Sequence, residues 1–217
     1  MMFEISKVFE FSAAHSVHSQ RLKPEWAGSS YPKCRRLPGH GHNYRLEVFL
    51  RAESLDSTQM VTDFGHLKWL KEFIDDCFDH KLLVGTDDPA FELLFGKLGY
   101  LENGEFKVPY GEATAVAVNR DFKVESFKVG SVALDLVKGS LNFLTFNGYT
   151  PKEESPLSDF YQRLTDGIAL FCCSPTSENL AWFFYNFVNA NIEPLGVICS
   201  KVAVYETPTS CAVYGEL

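Results

Sequence analysis

Two stretches of two-residue alternation constrain this chain most, because each brings histidine to the same side as its apolar residues. In residues 2–14, Phe3, Ile5, Phe9, Phe11 and Ala13 share one side, with Lys7 interrupting it. In residues 42–52, Tyr44, Leu46, Val48 and Leu50 do the same. Side chains two apart on a strand point to one face, so both stretches are expected to be half-buried strands. His15 keeps the parity of the first stretch, and His40 and His42 keep that of the second. Three inward imidazoles at the ends of two strands converge if the strands pair antiparallel. Three histidines with one open position form the ligand set of a catalytic zinc. Two other readings stand beside this one. The histidines are satisfied core residues, or Cys34 completes a closed structural site as fourth ligand.

Helical spacing follows. Asp63 is placed to cap a helix carrying Phe64, Leu67, Leu70, Ile74 and Phe78. Ser174 reads as an N-cap and Pro175 as a first helical residue, before Leu180, Phe183, Phe184, Phe187 and Val188 on one face. Residues 197–206 read as a third strand, and 211–215 as a short fourth after the turn at Thr207–Ser210. The middle, residues 81–173, is expected to be folded rather than a linker. A helix is predicted near 89–98 behind Asp88, strand-like pieces at 112–119 and 124–137, and a helix from Pro156 behind Ser155. Leu157, Tyr161, Leu164 and Ile168 are in phase on that last helix. No repeat or low-complexity tract is evident.

Cys34 stands in a loop beside Arg35 and Arg36, and positive neighbours or a nearby metal raise a thiolate population. Asp79 and His80 are adjacent, and a carboxylate beside an imidazole tunes it for proton transfer. Glu206 shares strand parity with Val202 and Val204, and an acid on an apolar face needs a partner. A ligand edge with two N–H donors would suit it. Glu178, in a first helical turn, has a simpler role as a complement to the helix dipole.

The net charge of −8 argues against a nucleic-acid binder. From Ser16 to Arg45, however, Arg21, Lys23, Lys33, Arg35, Arg36 and Arg45 face only Glu25. A local basic zone on an acidic chain suits a small anion, or is simply a solvated loop. No apolar run approaches the roughly 20 residues that span a bilayer. The first residues lack a signal peptide's basic start and apolar stretch. Six cysteines without a CxxC pair point to reduced thiols and a cytoplasmic setting.

The segments FSAAHSVHS, CRRLPGHGHNY, MVTDF, FDHKLL, SPTSENLA and VAVYET occur in this order. Together they closely resemble the 6-pyruvoyltetrahydropterin synthase and 6-carboxytetrahydropterin synthase family. The resemblance implies an α+β tunnelling fold, a four-stranded antiparallel sheet with two helices on one face. It implies a single domain over 1–217, with its core at 1–80 and 174–217. It also implies trimers, usually stacked into a homohexamer, with active sites between subunits. Carried over by position, His15, His40 and His42 look like zinc ligands. Cys34 looks like the catalytic thiol, supported by Asp79 and His80. Glu206 looks like the anchor of the pterin ring, with Glu178 and Thr176 near it.

The implied reaction is a lyase step on 7,8-dihydroneopterin triphosphate. Zinc acidifies the substrate side chain, Cys34 moves the proton, and triphosphate leaves. The product is a 6-pyruvoyl compound or, in the queuosine branch with loss of acetaldehyde, a 6-carboxy compound. The spacing C-x5-HGHNY and the segment HSVHS look like the pyruvoyl branch, whereas MVTDF looks like the queuosine branch. The departure from the family is the long segment 81–173 between the two helices, where the family has a short connection. Two other classes remain open on the residues alone. One is a non-catalytic pterin- or purine-binding member of the fold, which Cys34, Asp79 and His80 together argue against. The other is a zinc hydrolase, for which no acid is evidently placed to activate water.

Overall fold

The computed structural model of the protein describes residues 2–19, 34–102, 105–129, 131–132, 139–192 and 196–216. Arg21, Lys23, Lys33 and Glu25 of the expected basic zone lie outside the described residues, as do positions 130 and 133–137 of the expected strand 124–137. In chain order the first elements are β1 (Phe3–His15), β2 (His40–Ala52), α1 (Lys68–Cys77), β3 (Leu82–Gly85) and α2 (Pro89–Lys97). The strands β4 (Leu101–Glu102), β5 (Glu105–Lys107), β6 (Gly111–Asn119), β7 (Val124–Val129), β8 (Ser131–Val132) and β9 (Leu141–Pro151) follow. The last are α3 (Pro156–Asp166), β10 (Ile168–Phe171), α4 (Ser177–Asn191), β11 (Ile198–Thr207) and β12 (Ser210–Gly215). The chain forms two compact units, Met1–Ser12 with His42–Asp79 and Thr176–Leu217, and Ala13–Gly41 with His80–Pro175.

In the first unit the strand order is β12-β11-β2-β1. β11 pairs antiparallel with both β2 and β12. Alternation buries Phe9, Phe11, Tyr44, Leu46, Val48, Leu50, Val202 and Val204, whereas Phe3 at the start of β1 is exposed and Ile5 only half-buried. Phe11 stacks on Tyr44 at 5.0 Å between ring centroids and meets Phe78 edge-on at 5.7 Å. Phe78 in turn lies 4.9 Å from Phe184, and Phe73 lies 4.3 Å from Phe187. The chain has 19 phenylalanines, and those in these contacts join α1 and α4 to the strands, where aromatic pairs add to plain area burial. Asp63 caps as expected, its Oδ1 accepting from the Gly65 N–H at 2.6 Å. It caps a short 3₁₀ turn, Phe64–Leu67, which leads into α1 and leaves Phe64 exposed. β11 is irregular between Cys199 and Lys201. There Asn189 of α4 supplies the missing partners, accepting from the Cys199 N–H at 3.0 Å and donating to its carbonyl at 3.1 Å.

The cap of α4 differs from the sequence expectation. The N-cap is Thr176, whose Oγ1 accepts from the Asn179 N–H at 3.3 Å, not Ser174. Pro175 remains outside the helix, and its carbonyl is used elsewhere. The apolar face is as read: Leu180, Phe183, Phe184, Phe187 and Val188 are fully buried.

In the second unit the last residues of β1 pair in parallel with β3, Ala14 opposite Leu82. β3 pairs in parallel with β10, and from there β10, β9, β6 and β7 run antiparallel to one another. This corrects the reading of a plain four-stranded sheet, because residues 82–85 and 168–171 of the presumed insertion are sheet strands reached from β1. It also corrects the reading of Ile168 as helical. α3 stops at Asp166, and Gly167 closes its last turn with its N–H on the Leu164 carbonyl. The run Ile168–Phe171 is buried at every position, as a strand flanked on both sides must be. β4, β5 and β8 form a small separate sheet. Around these strands Phe106 stacks on Phe146 at 5.2 Å, and the Tyr100 hydroxyl bonds the Thr165 hydroxyl at 2.6 Å. Lys81 is buried, with Nζ donating to the Phe146 carbonyl at 3.0 Å, to Asn147 Oδ1 at 2.8 Å and to the Asp166 carbonyl. Among the described residues no helix is long and apolar enough to cross a membrane.

Candidate metal and active centre

β1 ends on His15, which is 1% exposed. The chain before β2 reaches it through Gly39, whose φ is 114°. A Cβ on Gly39 would lie 2.4 Å from the His15 carbonyl oxygen, so glycine is required by both the backbone angle and the close approach. His40 then opens β2, and its Nε2 lies 3.1 Å from His15 Nε2. The other His15 nitrogen, Nδ1, is 2.8 Å from the Pro175 carbonyl oxygen. A carbonyl only accepts, so Nδ1 carries the proton. In the neutral ring Nε2 is then the accepting nitrogen, and it faces His40 Nε2. Orientation of a ligating histidine by a backbone carbonyl is the usual support for a metal ligand. The donor chemistry of this pair therefore fits a zinc ion.

His42, two residues along β2 and on the same side as His40, belongs to the first unit. Its Nε2 lies 3.0 Å from Glu206 Oε1 near the end of β11. The second oxygen of Glu206 accepts from the Ser177 hydroxyl at 2.7 Å. Ser177 is the first residue of α4, directly after its Thr176 cap. Tyr44 meets the His42 ring edge-on at 5.7 Å. Burial, with the Glu206 charge added, pushes its phenol well above the ordinary tyrosine range. The parity argument for Glu206 thus finds its partner, which is an imidazole of this chain.

The remaining candidates are placed as follows. Cys34 is half-buried, and its carbonyl accepts from the Val17 N–H at 2.9 Å. Asp79 Oδ1 accepts from the Ser12 N–H at 2.8 Å, so this carboxylate also braces β1. His80 is exposed and adopts φ 60°, an unusual angle for a residue with a Cβ and one that clusters at functional sites. Glu178 lies exposed in the first turn of α4. Arg35 and Arg36 are exposed. Two participants escaped the sequence reading. Ser177 sits in the quoted SPTSENLA segment and was legible as a polar residue at a helix start. The Pro175 carbonyl is backbone and leaves no residue-type signal.

A family model described as 6-pyruvoyl tetrahydropterin synthase matches residues 4–216. A 6-carboxy-5,6,7,8-tetrahydropterin synthase from Aquifex aeolicus (strain VF5) is 28% identical over 227 residues, covering 100% of this chain and 99% of the relative. A 6-pyruvoyl tetrahydrobiopterin synthase from Poecilia reticulata is 42% identical over 88 residues, 40% of this chain and 59% of the relative. The crystal structure of an uncharacterized protein from Wolinella succinogenes aligns with TM-score 0.66 at 29% identity, covering 100% of this chain and 99% of that one. The first and third of these relatives match the middle segment as well as the rest.

Proposed function

The chain belongs to the 6-pyruvoyl tetrahydropterin synthase family and is a lyase of that type, and from this premise we propose that it is zinc-dependent and acts on 7,8-dihydroneopterin triphosphate. The observation that carries the metal assignment is the His15 ring, held by Nδ1 on the Pro175 carbonyl with Nε2 turned to His40 Nε2. His15, His40 and His42 would hold the ion. A bound zinc would supply Lewis acidity toward the hydroxyls and adjacent C–H of the substrate side chain.

Cys34, as thiolate, takes and returns the proton at the side-chain carbon. Asp79 and His80 relay it, with Asp79 anchored on the Ser12 N–H. Glu206 accepts the two N–H donors of the pterin edge, and Thr176 and Glu178 at the head of α4 flank Ser177, whose hydroxyl donates to Glu206. The local basic zone of the sequence between Ser16 and Arg45 suits the triphosphate. Trimers or hexamers with active sites between subunits are the assembly that this reading carries. The product we assign is 6-carboxytetrahydropterin, because the 6-carboxy relative matches over the whole chain, middle segment included. A second reading, 6-pyruvoyltetrahydropterin, is favoured by the 42% match at the 6-pyruvoyl relative.

Incubation of the zinc-loaded protein with 7,8-dihydroneopterin triphosphate, followed by mass spectrometry, tests all of this. Release of triphosphate and acetaldehyde with a 6-carboxy product is expected. A pyruvoyl product selects the second reading. Binding without turnover at full zinc occupancy would make the protein a pterin-binding module instead.

A further inference from the structure

The function proposed above leaves one cluster of nucleophiles unused. Cys172 and Cys173 follow β10 directly, and both are half-buried. The Cys172 N–H donates to the Asn142 carbonyl at 3.2 Å. Its Sγ lies 3.9 Å from Arg120 Nη1 and 4.0 Å from Asn142 Oδ1. The guanidinium is fixed in place, because Nη1 also donates to Asn142 Oδ1 at 2.8 Å and Nε donates to the Gly139 carbonyl. Asn142 is itself buried, with Nδ2 on the Asn119 carbonyl at 2.9 Å. The cradle is thus built from the β6–β7 turn, the start of β9 and the end of β10, all in the second unit.

The charged and titratable groups facing the pair are few. The Cys173 thiol donates to Cys172 Sγ, and Arg120 adds its charge and a hydrogen bond. Together, in that order, they bring the Cys172 thiol down to about 6 against the cost of burial. The same hydrogen bond, burial, the Cys172 charge and Asp87 from the β3–α2 turn push the Cys173 thiol up. His18 acts on Asp87, and lies 3.7 Å from Asp88. The surroundings therefore favour the thiolate at Cys172 and keep Cys173 the thiol, the division of labour used by reactive cysteine pairs.

We propose that Cys172 and Cys173 form a second reactive site, with Cys172 the nucleophile toward hydroperoxides and small electrophiles and Cys173 its resolving thiol. The Cys172 thiolate attacks the O–O bond, forms S–OH and releases hydroxide. Cys173 then attacks that sulfur, its proton leaves with the hydroxyl as water, and an S–S bond forms. The peroxide is reduced by two electrons and the pair oxidised by two. Adjacent Cα atoms stand about 3.8 Å apart across a trans peptide. That is below the roughly 4.4–6.8 Å of relaxed disulfides, so the ring is strained and easily reduced again by small thiols.

The test uses the full-length protein and peptide-resolved mass spectrometry. Iodoacetamide labelling of Cys172 should rise with a midpoint near 6 and be level from about pH 7 upward, whereas an ordinary thiol has its midpoint at about pH 8.5. The exposed Cys211 is the internal reference. Arg120→Gln should move the Cys172 midpoint upward. Hydrogen peroxide should remove two hydrogens from the Cys172–Cys173 peptide, reversibly with thiol, and Cys173→Ser should abolish that loss while Cys172 still gains oxygen. A Cys172 profile that tracks Cys211, or peroxide treatment that leaves the peptide mass unchanged, overturns the proposal.

Discussion

At the residue scale, the proton on His15 Nδ1 decides what the neighbouring imidazoles do. With that nitrogen committed to the Pro175 carbonyl, Nε2 must accept, either from the His40 ring or from the proposed zinc. His42→Ala is expected to drop zinc well below one ion per chain by elemental analysis, and Cys34→Ala to leave it unchanged. A zinc-free Cys34→Ala protein would make the thiol a ligand of a closed site and end the catalytic assignment. Glu206 poses a sharper choice, since it sits on His42 and also on Ser177. Glu206→Gln should keep the zinc and weaken pterin binding by about 1.5–3 kcal/mol, the worth of a charge-assisted hydrogen bond. Loss of zinc in that variant would make Glu206 a ligand instead. The three histidines and Glu206 were legible because period two forces residues of one parity to one face. The Pro175 carbonyl was not, because every residue has a carbonyl and only the fold decides where it points.

Among the elements, α4 and β10 show where pattern reading works and where it fails. The buried face of α4 was plain, since five apolar residues at helical spacing admit few alternatives. Its start was shifted by two residues because Ser-Pro and Thr-Ser both make acceptable caps. Only the Thr176 Oγ1 bond to the Asn179 N–H separates them. Thr176→Ala should cost about 1 kcal/mol of stability by denaturant unfolding, while Ser174→Ala at the rejected cap should leave the α4 end unaffected. β10 was missed for a different reason. Ile168 falls in phase with Leu157, Tyr161 and Leu164 of the preceding helix and so looks like its continuation, and neighbouring strands decide the matter. The core beside it is equally specific. Phe106→Ala removes a fully buried ring stacked on Phe146 and should cost about 3–5 kcal/mol.

For the whole molecule, the zinc proposed above would couple metal and fold. An ion that binds only the folded chain adds stability that grows with its concentration, about 4 kcal/mol at roughly a thousandfold excess over Kd. Chelation is therefore expected to lower the melting temperature of the wild type in a scanning measurement. It should have no effect on His42→Ala. The order in which the two units become complete is a separate matter. The second unit takes its longest piece, His80–Pro175, as one uninterrupted run, whereas the first collects three runs, the last of them Thr176–Leu217. On a ribosome, the β1 and β2 residues of the first unit must wait for α4, β11 and β12 before their apolar face is covered. A nascent chain halted after Pro175 should then resist protease in residues 80–175 and be cut in residues 42–79. Late synthesis delivers Glu206 last of the proposed centre's residues, so an arrested or shortened chain would present bare histidine-bearing strands to chaperones rather than a finished enzyme.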